Sequence, residues 1–374
     1  MSGIEACSER IRGVLEDARR GLIERDALVE LIALAAVAGE HLLVIGPPGT
    51  AKSEAVRRIA RGLEATYFEY LLGRFTEPSE IFGPVDLRKL REGIVETETR
   101  GMLPEAQIAF LDEIFLGSTA ILNTLLALLN ERVFRRGHTS LRCPLRVCIG
   151  ASNALPEGDA LAAFADRFLL RIFVEPVSDT LLEDLLERGW SRGQGEPRKA
   201  RVEDLDVLAK AAQNADLSLV RRGLAEAIRL LLKAGILLSD RRVVKVQQLV
   251  AAAAVLDGRP TPGEADLWPL VYAIPTAAAQ GTAREVLRDL LGASRNRLLS
   301  VASEEASQGP LARAARLLRT GQELLAGRGG LDERTWRLRL EGVAREIDAG
   351  FSVTRIPPEL ASLREQIVGI LRVE

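Results

Sequence analysis

Apolar residues recur along the chain with two different periods, and the change between them outlines the elements. From Glu5 to Val37 they return every three or four positions, which predicts helices with one buried face. His41–Ile45 is a short unbroken apolar run closed by Gly-Pro-Pro-Gly, which is typical of a fully buried strand. Helical spacing returns over Ser53–Leu63. The first strand is therefore predicted to run directly through a glycine-rich turn into a helix.

The same alternation of strands and helices continues to Ile172–Pro176. Further buried strands are predicted at Tyr67–Tyr70, Ile108–Leu111 and Leu145–Ala151, with helices between them, notably Ser118–Glu131. Strands that alternate with helices favour a wound parallel sheet with helices on both faces. The first part of the chain is therefore predicted to be an α/β domain.

After Pro176 the strand signals stop and the patterns are helical. The turn-rich segment Gly193–Pro197 is a candidate linker. Helices are predicted at Val202–Asn214, Leu219–Lys233, Asp240–Leu256, Gly263–Ala273, Leu311–Leu325 and Leu331–Ile347. We therefore expect an α/β core at 1–192, an all-α domain at 193–276 and a helical region at 277–374. The position of this last region suggests the hypothesis of a small bundle that docks a partner.

Composition and charge exclude several classes of protein. The 374 residues carry a formal net charge of -2, which argues against binding nucleic acid or anionic membranes through bulk charge. Three cysteines and two histidines are too few for a disulfide scaffold or a common zinc site. The chain shows neither the apolar region of a secretory signal nor a stretch long enough to span a bilayer. We therefore expect a cytoplasmic protein.

The first chemical motif is the glycine-rich turn after the strand, which has the spacing of a phosphate-binding loop. Glycines let consecutive N–H groups turn onto phosphates, a lysine reaches the β and γ phosphates, and the next hydroxyl binds Mg²⁺. The candidate nucleotide-binding residues are Gly46, Pro47, Pro48, Gly49, Thr50, Ala51, Lys52 and Ser53. Ala51 stands where such loops have their last glycine. A strand–helix turn without a ligand is the alternative interpretation.

The second motif is a pair of carboxylates at the end of a buried strand. Asp112 and Glu113 follow Ile108–Leu111. Asp112 is expected to hold Mg²⁺ together with Ser53, and Glu113 to orient and polarise the attacking water. The alternative is that both acids only cap the next helix. Two adjacent acids after a phosphate loop favour ATP hydrolysis over nucleotide binding alone.

At this point the chain resembles the AAA+ ATPases of the MoxR family, and among them the RavA-like branch. The motifs that carry the resemblance are GPPGTAKS at 46–53, RFTEPSEIFGP at 74–84, GMLPEAQIAFLDEI at 101–114, ILNTLLALLNERVF at 121–134 and SDRR at 239–242. They cover roughly residues 5–275 in the family's order. The resemblance implies a P-loop AAA+ core followed by an all-α lid, with ATP and Mg²⁺ as cofactors.

The resemblance also implies further catalytic residues. Asn153 matches the polar sensor of the γ-phosphate. Arg167 matches the arginine finger that reaches the neighbouring subunit, with Arg171 as the near alternative. Arg241 matches the second sensor of the lid, with Arg242 as an equally close alternative. Because an arginine finger acts between subunits, the family resemblance implies a hexameric ring.

These features together predict a Mg²⁺-dependent ATPase whose ring remodels or activates a protein partner. The resemblance implies a partner with a von Willebrand factor A domain. The first alternative is a nucleic-acid-translocating motor, which the net charge disfavours. The second is a gas-vesicle-type assembly ATPase, which intact Glu113 and Asn153 disfavour.

Overall fold

Five parallel strands form the central sheet of the chain, which a computed structural model describes over residues 3–190, 198–308, 310–327, 332–350 and 357–372. The strands within these residues are β1 (Leu42–Ile45), β2 (Tyr67–Leu71), β3 (Ile108–Asp112), β4 (Val133–Arg136), β5 (Thr139–Arg142), β6 (Val147–Ser152) and β7 (Leu170–Phe173). The sheet order is β2-β3-β6-β1-β7, and β4 and β5 form a separate antiparallel hairpin. The predicted wound parallel sheet is confirmed.

The strand register gives the sheet two opposite edges. Leu42, the first residue of β1, pairs with Ile149 of β6 and with Leu170 of β7. We call the side where the parallel strands begin the amino edge and the side where they end the carboxyl edge. At about 3.3 Å per residue, the four residues of β1 separate these edges by about 13 Å. The predicted phosphate loop lies at the carboxyl edge, where open α/β sheets bind ligands.

Helices cover both faces of the sheet and form most of the described chain after β7. Within the described residues they are α1 (Gly3–Arg19), α2 (Asp26–Ala38), α3 (Lys52–Gly62), α4 (Pro78–Phe82), α5 (Leu87–Arg91), α6 (Thr119–Glu131), α7 (Asp159–Ala165), α8 (Leu182–Trp190), α9 (Val202–Gln213), α10 (Ser218–Lys233), α11 (Asp240–Leu256), α12 (Pro269–Tyr272), α13 (Ala277–Val286), α14 (Arg288–Leu291), α15 (Ser300–Gln308), α16 (Pro310–Ala326), α17 (Glu333–Gly350) and α18 (Pro358–Arg372). None of these helices is both long and apolar enough to cross a membrane. The candidate linker Gly193–Pro197 lies outside the described residues.

Two hydrophobic cores lie on the two faces of the sheet. In β1, Leu42 and Val44 contribute to one core, whereas Leu43 and Ile45 contribute to the other. The first core also contains apolar residues of α1, α2, α3, α9 and α11. The helices of the predicted lid therefore share a core with the α/β domain and do not form a separate globule.

The chain divides into two compact units at boundaries other than those expected. The larger unit combines Met1–Pro176 with Gly195–Ser307, so that residues 277–307 pack with the lid. The smaller unit combines Val177–Gln194 with Gln308–Glu374. The expected boundary after residue 192 differs because α8 follows the sheet in sequence but packs elsewhere. Long-range packing decides this division, and no local pattern marks it.

The smaller unit is built on three helices, α16, α17 and α18, that share one apolar core. Leu317, Val343 and Ile367 are among the residues buried between them. Arg339 of α17 pairs with Asp184 of α8 at 3.4 Å, which links the segment after residue 176 to this bundle. The C-terminal helices thus form a bundle, and its role in docking a partner stays a prediction.

Candidate active site

The predicted phosphate loop joins β1 to α3 at the carboxyl edge of the sheet. Its first glycine is required by space, because a Cβ at Gly46 would lie 2.2 Å from the carbonyl oxygen of Val174. Gly49 has a φ of +78°, which suits glycine. Ala51 has a φ of +58°, a left-handed conformation that costs a residue with a side chain about 1–2 kcal/mol. The loop therefore keeps a strained residue directly before Lys52, as functional sites often do.

The ammonium group of Lys52 lies inside this loop. Its Nζ donates to the carbonyl oxygens of Gly46 at 2.7 Å and Pro47 at 2.9 Å. Burial lowers the pKa of Lys52, and the negative charges of Asp112 and Glu113 oppose this effect. The cation is thus held in the concavity of the loop, close to both predicted carboxylates.

Asp112, Glu113 and Asn153 meet at the ends of two neighbouring strands. Asp112 ends β3, and Asn153 follows β6, which pairs with β3 in parallel. The side-chain amide of Asn153 donates to Oε1 of Glu113 at 2.6 Å. The backbone N–H of Glu113 donates to Oδ1 of Asp112 at 3.0 Å, and Glu113 itself has a φ of +49°. Residues from three separate motifs are therefore brought together around the loop.

The oxygen atoms beside Lys52 fit a magnesium–nucleotide complex. Ser53 is half-buried in the first turn of α3, and Asp112 is half-buried at the end of β3. A hydroxyl and a carboxylate are ligands that Mg²⁺ accepts, with water and phosphate completing its shell. No cluster of three or more histidine, cysteine, aspartate or glutamate side chains that could hold a metal occurs within the described ranges. Ser53 and Asp112 thus offer two oxygen ligands that fit Mg²⁺ bound together with phosphates and water.

A buried arginine behind the loop was not predicted from the sequence. Arg25 precedes α2 and is 4 % exposed. Its guanidinium donates to the carbonyl oxygens of Glu24 at 2.6 Å, Thr50 at 2.8 Å and Glu175 at 2.8 Å. The only local signal is a charged residue at the start of an apolar helix, and this does not indicate contact with a loop 25 positions away.

The two candidate finger arginines differ in their surroundings. Arg167 lies between α7 and β7 at the amino edge; it is half-buried, and its Nε has no hydrogen-bond partner within the described part of the chain. Arg171 is buried in β7 and donates to the carbonyl oxygens of Ala165 at 3.0 Å and Pro275 at 2.9 Å. Burial and then the charge of Arg242 lower the pKa of Arg171 to about 10. The guanidinium of Arg171 thus makes these hydrogen bonds within its own chain.

The two candidate sensor arginines also differ. Arg242 is 1 % exposed; it pairs with Asp166 at 2.5 Å and also donates to the carbonyl oxygens of Phe168, Leu169 and Ala273. Arg241 is only half-buried and donates to Oδ1 of Asn130 at 2.6 Å. Because Asp166, Phe168 and Leu169 directly precede β7, Arg242 lies toward the amino edge, and Arg241 is its neighbour in α11. The structure therefore does not bring Arg241 to the phosphate loop of its own chain.

Comparison with known families matches most of the chain. Residues 9–211 match a family model described as the MoxR domain in the MoxR-vWA-beta-propeller ternary systems. Residues 217–285 match an AAA lid domain. The match to the MoxR model alone covers more than half of the chain, whereas the RavA-like branch stays a prediction.

Individual relatives agree with this assignment. Two uncharacterized proteins of Methanocaldococcus jannaschii are 36% and 35% identical over 261 residues, which is 69% of this chain and 69% and 67% of theirs. The chaperone MoxR1 of Mycobacterium tuberculosis is 26% identical over 176 residues, 46% of each chain. A crystal structure from Cytophaga hutchinsonii, described as that of a candidate ATPase, has the same fold, with a TM-score of 0.63 at 15% identity over 79% of this chain and 97% of that one. The chain therefore belongs to the MoxR family within the AAA+ ATPase superfamily.

Proposed function

We propose that the protein is a Mg²⁺-dependent ATPase that works as an oligomeric ring and remodels or activates a protein partner. The observation that carries the proposal is the group at the carboxyl edge, where Glu113 accepts a hydrogen bond from Asn153 beside the loop that holds Lys52. A nucleotide-binding protein without turnover has no need for a second carboxylate positioned by an amide.

In this proposal the loop binds the phosphates and the adjacent carboxylates serve the reaction. The N–H groups of the loop and of the first turn of α3 hold the phosphate oxygens. Lys52 exchanges its present carbonyl partners for the β and γ phosphates. Ser53 and Asp112 would hold Mg²⁺, which would neutralise charge on the phosphates. Glu113 accepts a proton from the attacking water, and Asn153 fixes the orientation of that carboxylate.

We propose further that Arg167 and Arg241 complete the site of another subunit. Both lie toward the amino edge, whereas the phosphate loop of the same chain follows the carboxyl end of β1. A side chain about 6–7 Å long cannot span the sheet between the two edges. Only a neighbouring copy can then present these arginines to the γ-phosphate, which favours a closed assembly such as a hexamer.

The partner is inferred from the family, not from the site. The matched model is described by its occurrence in MoxR-vWA-beta-propeller systems, which supports a partner with a von Willebrand factor A domain. We place the protein in the cytoplasm, because all three of its cysteines are buried free thiols, which suit a reducing compartment.

The test is the ATPase rate per protomer over a hundredfold range of protein concentration, with Glu113→Gln as the blank. We expect a specific rate that rises and then saturates, because the site is completed on assembly. Glu113→Gln is expected to lower turnover about 10²- to 10⁴-fold while keeping ATP binding. Lys52→Ala is expected to lose nucleotide affinity itself.

Three outcomes would contradict parts of the proposal. Full hydrolysis by Glu113→Gln would show that another group is the general base. A constant rate in a preparation that sizing shows to be monomeric would remove the need for a ring. Strong stimulation by single-stranded DNA at physiological salt would favour a nucleic-acid motor.

A further inference from the structure

The guanidinium of Arg25 holds the back of the phosphate loop at one peptide group. Its Nε donates to the carbonyl oxygen of Thr50 at 2.8 Å, and its Nη2 donates to that of Glu175 at 2.8 Å. Glu175 follows β7, and the N–H of neighbouring Val174 donates to the carbonyl of Ile45 at 2.7 Å. The guanidinium therefore links the loop to the segment directly after β7, which the sheet itself holds in place.

This contact determines which way the next N–H group points. A trans peptide holds its C=O and its N–H on opposite sides. Because the carbonyl of Thr50 is directed at Arg25 behind the loop, the N–H of Ala51 is directed away from Arg25. An N–H that points away from Arg25 is available to a phosphate oxygen on the opposite side of the loop.

The same contact supports the strained residue of the loop. Ala51 has a φ of +58°, where most residues with a Cβ are unfavourable and glycine is not. A loop without a fixed Thr50 carbonyl could relax Ala51 toward negative φ and change the direction of its N–H. Nucleotide binding would then have to restore the strained conformation.

The positive charge of Arg25 also lies near the phosphate site. Burial has the largest effect in lowering the pKa of Lys52, and the charge of Arg25 lowers it further. Arg25 is itself 4 % exposed and makes these contacts from a loop that precedes α2. Burying two neighbouring cations costs free energy unless an anion binds beside them.

We infer that Arg25 is a positioning residue for nucleotide binding, which presets the phosphate loop by fixing the Thr50–Ala51 peptide and offsets the absence of a glycine at position 51. The inference rests on the proposed function, because it assigns Arg25 to the same phosphate site. Arg25 does not touch the nucleotide; it acts through the backbone of the loop.

The test is the dissociation constant of a fluorescent ADP analogue, measured with Mg²⁺ on the full-length protein. Arg25→Met keeps the length of the side chain and removes the forked donors. We expect it to weaken binding about tenfold to a hundredfold, the loss typical of a hydrogen bond to a charged group. Arg25→Lys keeps the charge without the fork, and we expect a loss of about threefold to tenfold. If Arg25→Met does not fold, the dissociation constant of Arg25→Lys provides the test.

The second arm tests the link to Ala51 through a double-mutant cycle. Ala51→Gly removes the conformational cost, so its gain in affinity is expected to be at least about threefold larger in the Arg25→Met background than in the wild type. Arg259→Met is the matched control, because Arg259 is a partly buried arginine that pairs with Asp257 and Asp266 in the lid. It is expected to lower the melting temperature while changing the dissociation constant less than about twofold.

The outcomes separate this inference from the proposed function. Wild-type protein that binds no ADP would overturn both together. Wild-type binding combined with an Arg25→Met affinity within about twofold of it would overturn the inference alone. An equal gain from Ala51→Gly in both backgrounds would also overturn it, because Arg25 would then not act through that peptide.

Discussion

The two edges of the sheet both carry predicted site residues, but they differ in what those residues contact. At the carboxyl edge, Lys52, Glu113 and Asn153 are assembled by one chain around one loop. At the amino edge, the Nε of Arg167 has no hydrogen-bond partner among the described residues, and Arg241 donates to Asn130 at the end of α6. The predicted phosphate loop and its carboxylates thus lie at one edge, and the predicted finger and second sensor lie at the other.

Under the proposed function, this difference makes hydrolysis depend on assembly. Parallel strands place the residues that follow them at one edge of the sheet. Residues from several strand ends therefore meet within a single chain. Residues that precede β7 lie at the other edge for the same geometric reason. In the proposed function, distance across the sheet separates nucleotide binding, for which one chain suffices, from full turnover, which needs two.

The largest expected effect comes from Arg167→Ala. If Arg167 is the finger, its loss should lower turnover about 10³- to 10⁵-fold while leaving ADP affinity unchanged. The readout is single-turnover hydrolysis, with binding measured separately. The matched control is Arg146→Ala, at the same edge, because Arg146 already pairs with Asp206 of its own chain at 2.7 Å.

Mixing experiments sharpen this prediction. Subunits with Arg167→Ala keep an intact carboxyl edge, and subunits with Glu113→Gln keep an intact amino edge. A mixed ring should therefore contain some complete sites and regain part of the activity. No recovery at any mixing ratio would show that the finger is a different residue.

The next effect concerns stability and separates the two neighbouring arginines of α11. Arg242→Met is expected to lower the free energy of unfolding by about 2–4 kcal/mol, because Asp166 and three buried carbonyl groups lose their donor. Arg241→Ala should change it by less than about 0.5 kcal/mol. Denaturant unfolding of both variants is the measurement, and equal losses would contradict the structural role given to Arg242.

The smallest of these effects is on the rate of Arg241→Ala. Loss of one charged hydrogen bond to the nucleotide should slow turnover about tenfold to a hundredfold in the assembled protein. Asn130→Ala serves as the control, because it removes the present partner of Arg241 and should not slow turnover. If both variants lose activity equally, the contact within the chain matters and not the contact across the interface.

The strands and the turn at the carboxyl edge could be predicted because their signals are local. A buried strand, a glycine-rich turn and a lysine lie next to each other in the chain, and so do Ile108–Leu111 and the two acids that follow. Each of the predicted strands is present within a few residues of its expected ends. The hydrogen bond between Glu113 and Asn153 is different, because it depends on the pairing of β3 with β6, which brings together residues 40 positions apart.

Tertiary structure alone decided the features that depend on contacts between distant segments. Four arginines look alike in the sequence, but packing buries Arg171 and Arg242 against backbone carbonyls and leaves Arg167 and Arg241 more accessible. Packing likewise brings Arg25 to the phosphate loop and assigns residues 177–190 to the C-terminal bundle. A guanidinium has five donors and no local preference for one acceptor, so only the folded chain determines which carbonyl groups it meets.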